Sequence, residues 1–75
     1  MKKINAWEET TIIGDNFYTI TLIEIENVTY DAYIDNGKEP MKYMFGLPVA
    51  QQSAEEAMEM AIANAPDYVY MFGEE

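Results

Sequence analysis

The chain has 75 residues, 49% of them hydrophobic and 13% aromatic, and a net charge of −10. That length makes one domain, residues 1–75, and leaves no room for a second core, while the apolar content is too high for a disordered segment. The absence of cysteine excludes a disulfide staple and a thiolate metal site, and fourteen acids against four lysines exclude the basic face that nucleic acid or an anionic membrane requires.

Lys2 and Lys3 give a positive start, but Glu8 and Glu9 stand where the apolar stretch of a signal peptide would begin. No apolar run approaches the roughly 20 residues of a membrane span. The expectation is a cytoplasmic protein. Residues 7–13, with Thr10, Thr11, Ile12 and Ile13, favour a first strand, closed by the turn cluster Gly14-Asp15-Asn16. Residues 17–25, Phe-Tyr-Thr-Ile-Thr-Leu-Ile-Glu-Ile, are dense in β-branched and aromatic side chains and apolar on both faces, as expected of a central strand.

A tight turn at Glu26-Asn27 leads into residues 28–35, where Val28, Tyr30, Ala32 and Ile34 alternate with Thr29, Asp31, Tyr33 and Asp35. Asn36-Gly37 supplies the two residues of a type I′ hairpin turn. Pairing through it sets Asp35 opposite Lys38 and Asp31 opposite Lys42 on one face. The other face, Ala32 with Met41, Tyr30 with Tyr43 and Val28 with Phe45, is the expected core. Pro40 lacks a donor, so the return strand at residues 41–45 belongs at an edge or starts irregularly.

Gly46-Leu47-Pro48 ends the sheet section, and Ser53-Ala54-Glu55-Glu56 reads as a capping box opening a helix over residues 54–64. Ala54, Ala57, Met58, Ala61, Ile62 and Ala65 form one apolar stripe along it. Pro66 stops the helix, and residues 67–72 supply a last strand before the acidic tail. The expected fold is α+β: an antiparallel sheet of four to five strands with one helix packed on one face, in the order β-β-β-β-α-β.

Chemistry is scarce. There is no histidine, cysteine or arginine to act as base, nucleophile or anion clamp. Carboxylate pairs such as Glu24 with Glu26, or Glu55 with Glu59, would need a cleft that one helix can hardly build. Asp31, Asp35 and Asn36-Gly37 fail the spacing of a calcium loop, because Gly37 at the sixth position puts Ala32 at the first. No catalytic residue, metal ligand or cofactor is expected.

The acids divide by role. Glu55 and Glu56 suit the first turn of any helix, whereas Glu59 follows Glu55 by one turn with no lysine to offset it. A stability-selected surface mixes its signs, although acidity also serves solubility. On the face opposite the helix, Tyr18, Ile20, Leu22 and Tyr33 would form an apolar patch rimmed by Asp31 and Asp35, which has the anatomy of a protein interface or a homodimer contact. The expected partner surface is Glu24, Glu26, Asp31, Asp35 and Glu59 with Tyr18, Ile20, Leu22 and Tyr33.

A short, cysteine-free, acidic α+β chain carrying Glu24, Glu26, Asp31, Asp35, Glu55 and Glu59 resembles the phage-encoded anti-CRISPR and DNA-mimic inhibitors. The resemblance implies a non-catalytic protein working in the host cytoplasm. It also implies that carboxylates and tyrosines, standing in for phosphates and bases, occupy a host protein's nucleic-acid channel. The partner is then a basic, nucleic-acid-binding host complex, with no direct contact to nucleic acid or membrane. The other expectation from the residues is an adaptor or homodimer using the apolar sheet face.

Overall fold

A computed structural model describes residues 3–73. Four strands, β1 (Lys3–Ile13), β2 (Asn16–Ile25), β3 (Thr29–Asp35) and β4 (Lys42–Pro48), form an antiparallel meander in the order β1-β2-β3-β4. A short 3₁₀ turn, Val49–Gln51, leads to the helix α1 (Ala54–Asn64), and a 3₁₀ helix, Ala65–Phe72, completes the chain. The α+β class, the single helix and the order β-β-β-β-α agree with the sequence. The acidic tail at Glu74 and Glu75 lies outside the described residues.

β1 begins four residues earlier than its β-branched cluster suggests, because β2 is long enough to pair with it back to Lys3. Its outer edge has no partner strand among the described residues. β2 is central, as expected.

One residue in the next connection decides which face of β2 is buried. A two-residue turn at Glu26-Asn27 would pair Ile25 with Val28, but Ile25 pairs with Thr29. Glu26 and Asn27 take left-handed φ of 53° and 58°, and the Val28 amide donates to the Ile25 carbonyl at 2.8 Å. Val28 stays in the loop as an exposed third residue. A one-residue shift turns every side chain of a strand to the other face. Tyr18, Ile20 and Leu22 therefore join Tyr30, Ala32 and Ile34 beneath the helix, with Ile20, Leu22 and Ile34 fully enclosed. The patch expected on the opposite face is the core itself, and only Tyr33 of that group faces away.

The β3–β4 connection also departs from expectation. Asn36-Gly37 does not make a two-residue turn: a loop spans residues 36–41. The Asp35 carboxylate accepts from the Gly37 amide at 2.7 Å, and Asn36 Oδ1 accepts from the Lys38 and Glu39 amides at 2.9 and 3.0 Å. These side-chain acceptors outcompete the tight turn. Ile34 then pairs with Lys42, Tyr33 with Tyr43, and, beyond a bulge, Ala32 with Phe45 and Asp31 with Gly46. The expected pairs Asp35 with Lys38, Asp31 with Lys42, Ala32 with Met41, Tyr30 with Tyr43 and Val28 with Phe45 do not form. Met41 and Tyr43 are exposed, and Met44 is the buried residue of the strand.

Ser53 opens α1 by accepting from the Glu56 amide at 3.1 Å, and its own amide donates to Glu56 Oε1 at 2.9 Å. The expected stripe is the buried one, with Ala57, Met58, Ala61 and Ala65 enclosed against the sheet. Removing the cap in Ser53→Ala should cost about 1 kcal/mol and lower the thermal midpoint by roughly 4–8 °C, measured by circular dichroism.

The last segment is not a strand. The α-helix ends at Asn64, as expected, and Pro66, with φ pre-set near the helical value, sits in the first turn of the 3₁₀ helix that follows. Residues 68–72 are a short aromatic and aliphatic run, and such a run fits helix and strand alike. Packing decides between them: Phe72 lies against Tyr18 with ring centroids 6.1 Å apart, and Tyr68 against Phe45 at 5.8 Å. Lys42 Nζ completes this end, 5.6 Å from the Phe72 centroid.

Candidate functional site

The helix crosses β2 and β3, and the C-terminal 3₁₀ helix closes the β4 side, so neither reaches across β1. On the helix side of β1, Trp7 and Glu9 point into the gap, being paired with the core residues Leu22 and Ile20. The far wall comes from the first turns of α1, with Ala54, Glu55 and Met58. The result is an open groove of about 270 Å³ lined by these residues and Glu8. Trp7 is held edge-on against Tyr30, with centroids 6.1 Å apart at 68°, and remains 36% exposed. Glu59, one turn beyond Glu55, lines a separate shallow hollow with Gln51, Gln52, Glu56 and Met60. An indole among three carboxylates, those of Glu8, Glu9 and Glu55, with no lysine among the lining residues, is chemistry suited to a cation.

A second acidic surface occupies the uncovered face of the sheet. Asp31, Tyr33 and Asp35 project there from β3, Glu8 and Thr10 from β1, and Tyr43 from β4. Tyr33 and Tyr43 meet edge to face at 5.6 Å. Gly46, opposite Asp31, leaves room for both neighbours: a Cβ there would stand 3.1 Å from the Tyr43 hydroxyl and 3.2 Å from Asp31 Oδ1. Asp31 also accepts from Thr29 Oγ1 at 3.3 Å. Lys42 pairs instead with Glu39, at 3.7 Å.

Partial burial, and after it the negative charge of Asp31, push the Tyr43 phenol above its ordinary value. A raised folded-state value means the folded protein holds this proton more tightly than the unfolded chain. The resulting stability is complete below the usual tyrosine range near 10 and is lost as pH rises through the folded value. Tyr43→Phe should therefore flatten the alkaline loss of stability, and Asp31→Asn should lower the phenol's midpoint. Both are read by tyrosinate absorbance and alkaline denaturation.

The residues expected to bind a partner do not share one surface. Tyr18, Ile20 and Leu22 are core. Glu24 lies beneath the helix side at 8% exposure, accepting from Asn5 Nδ2 at 3.2 Å, and so is removed from any solvent-facing array. Glu26 sits in the β2–β3 turn. Asp31, Asp35 and Tyr33 remain together on the uncovered sheet face, and Glu59 stands apart from them on the outer side of α1. Trp7, Glu8, Glu9 and Met58, which line the groove, are not among the residues the sequence offers for partner binding. Nothing in a linear pattern pairs a first strand with a helix fifty residues later; only the meander's register does.

Among the described residues no group of three or more acids is gathered so as to hold a metal ion, and no helix is long and apolar enough to cross a membrane. The fold and its two acidic surfaces define a small acidic α+β domain. No family model, curated protein or solved structure matches this chain.

Proposed function

We propose that this chain is a non-catalytic binding protein of the inhibitor type, which occupies the basic, nucleic-acid-binding surface of a protein partner. The observation that carries this reading is the uncompensated charge. Fourteen carboxylates face four lysines, and the two aspartates expected to meet lysines across the hairpin do not: Asp31 stands opposite Gly46 and Lys42 turns to Glu39. Asp31, Asp35 and Glu8 with Tyr33 and Tyr43 on one surface, and Glu9 and Glu55 with Trp7 on another, combine negative charge with aromatic faces as a nucleic acid does. Duplex DNA carries one charge per roughly 1.7 Å of axis. Acids spread over two surfaces can follow a basic channel on either side.

The test is competition. A set of basic nucleic-acid-binding proteins is loaded with a labelled duplex or single strand, and this chain is titrated in at several salt concentrations. Displacement that weakens steeply with salt is the expected result. Displacement from none of them, or binding indifferent to salt, sinks the proposal.

A second reading, self-association, is favoured by exposed apolar residues on the uncovered sheet face, where Ile12 pairs with Phe17 and both are largely exposed. It no longer rests on Tyr18, Ile20 and Leu22. Sedimentation at high salt, where repulsion between chains of charge −10 is screened, would reveal a dimer if that reading holds.

A further inference from the structure

The two edges of the sheet are defended unequally. β4 is short, bulged opposite Ala32 and Tyr33, entered through Pro40 and ended by Pro48, all features that discourage strand addition. β1 has eleven residues, no proline and no glycine, and its one irregularity lies at the far end between Lys3 and Asn5. Residues Lys3 to Thr10 are exposed on both faces. Closure of the first hairpin by the pair Ile13 and Asn16 directs the amides and carbonyls of Ala6, Glu8, Thr10 and Ile12 away from β2. An exposed ladder of this length is a template for another strand.

Resting on the reading that the partner is basic, we infer that the free edge of β1 takes up an extended basic segment of that partner as a fifth strand, with a lysine or arginine side chain seated in the groove between β1 and α1. Charge selects this occupant. Glu8 and Glu9 on the strand and Glu55 on the helix line the groove beside the added chain, and Trp7 offers the ring face that an arginine or lysine head stacks upon. The groove, at about 270 Å³, has room for one such side chain. A second copy of this chain is the wrong occupant. Antiparallel pairing of two β1 edges would bring Glu8 and Glu9 of both copies near one another, and like charges across a ladder destabilise it.

The test uses the full chain with a synthetic alternating Lys-Val-Thr peptide, its Glu-Val-Thr counterpart, and a basic helical peptide of equal charge. Trp7 is the only tryptophan, so its fluorescence reports the groove directly. The extended basic peptide should change Trp7 emission and protect the Ala6, Glu8 and Thr10 amides from hydrogen exchange, while the acidic peptide does neither and the helical peptide leaves the amides unprotected. Trp7→Ala, or Glu9→Gln with Glu55→Gln, should weaken binding about tenfold. Thr10→Pro, which removes one outward donor from an edge strand, should abolish the protection with the fold retained by circular dichroism.

Peptide binding without protection of these amides, or protection arising only from chain self-pairing as concentration rises, would overturn the inference. So would equal protection by the helical peptide. If the chain displaces nucleic acid in the competition test yet shows no edge protection, the inference fails alone. If the edge is protected but nothing is displaced, the inhibitor reading fails and the strand-addition site stands.

Discussion

Leu22→Ala is expected to destabilise the domain by about 2–5 kcal/mol, out of the roughly 4–11 kcal/mol that a chain of this length holds in total. Leu22 is fully enclosed, paired with Trp7 and Ala32 and lying on the face that α1 covers. Alanine there leaves a void that helix and sheet cannot close without losing the contacts of Ala57, Met58 and Ala61 with the sheet. Tyr33→Ala makes the informative comparison. Tyr33 is half-buried on the other face, where its loss removes a ring pair worth about 0.5–1.5 kcal/mol. Urea denaturation of both variants reads the order directly. A smaller loss for Leu22→Ala than for Tyr33→Ala would mean that the helix covers the opposite face of β2.

That comparison bears on how much the sequence discloses. Elements specified by local chemistry are legible in it: the capping box at Ser53 and Glu56, the alanine stripe of α1, and the strand character of residues 17–25. Faces and registers depend on single residues in turns. The face of β2 turned on whether Val28 belongs to the strand or to the loop, and nothing in Glu26-Asn27-Val28 forces that choice locally; burial of Tyr18, Ile20 and Leu22 does. The Asn36-Gly37 signal was sound as local chemistry, yet Asp35 and Asn36 used their side chains to hold a wider loop, and the bulge in β4 displaced the register further. The final segment kept its apolar residues but changed their period, since Tyr68 and Phe72 find Phe45 and Tyr18 as partners only when coiled. Local side-chain hydrogen bonds decide the loop at residues 36–41, and tertiary packing decides the rest. The candidate site suffered most, because its groove is assembled from β1 and α1, which touch no common local pattern.

Association with a basic partner is expected to slow by about 10–10³-fold from low to high ionic strength, since a charged surface mainly accelerates encounter, while dissociation changes far less. The sharper expectation concerns where charge sits rather than how much there is. Glu8, Glu9 and Glu55 line the Trp7 groove, whereas Asp15, Asp31 and Asp35 lie on the uncovered sheet face or in the β1–β2 turn. Reversing either trio to lysine gives the same net charge. If the acids serve only solubility, neither variant loses binding beyond the common electrostatic fraction, and the two slow equally. If the groove orients the partner, the first trio should speed dissociation as well as slow encounter, because a cation stacked on Trp7 would lose the carboxylates on both sides of it. If the sheet face is the mimicking surface, the second trio suffers instead. Stopped-flow association and dissociation rates for the two variants, at matched salt, separate these outcomes without first knowing the partner's structure.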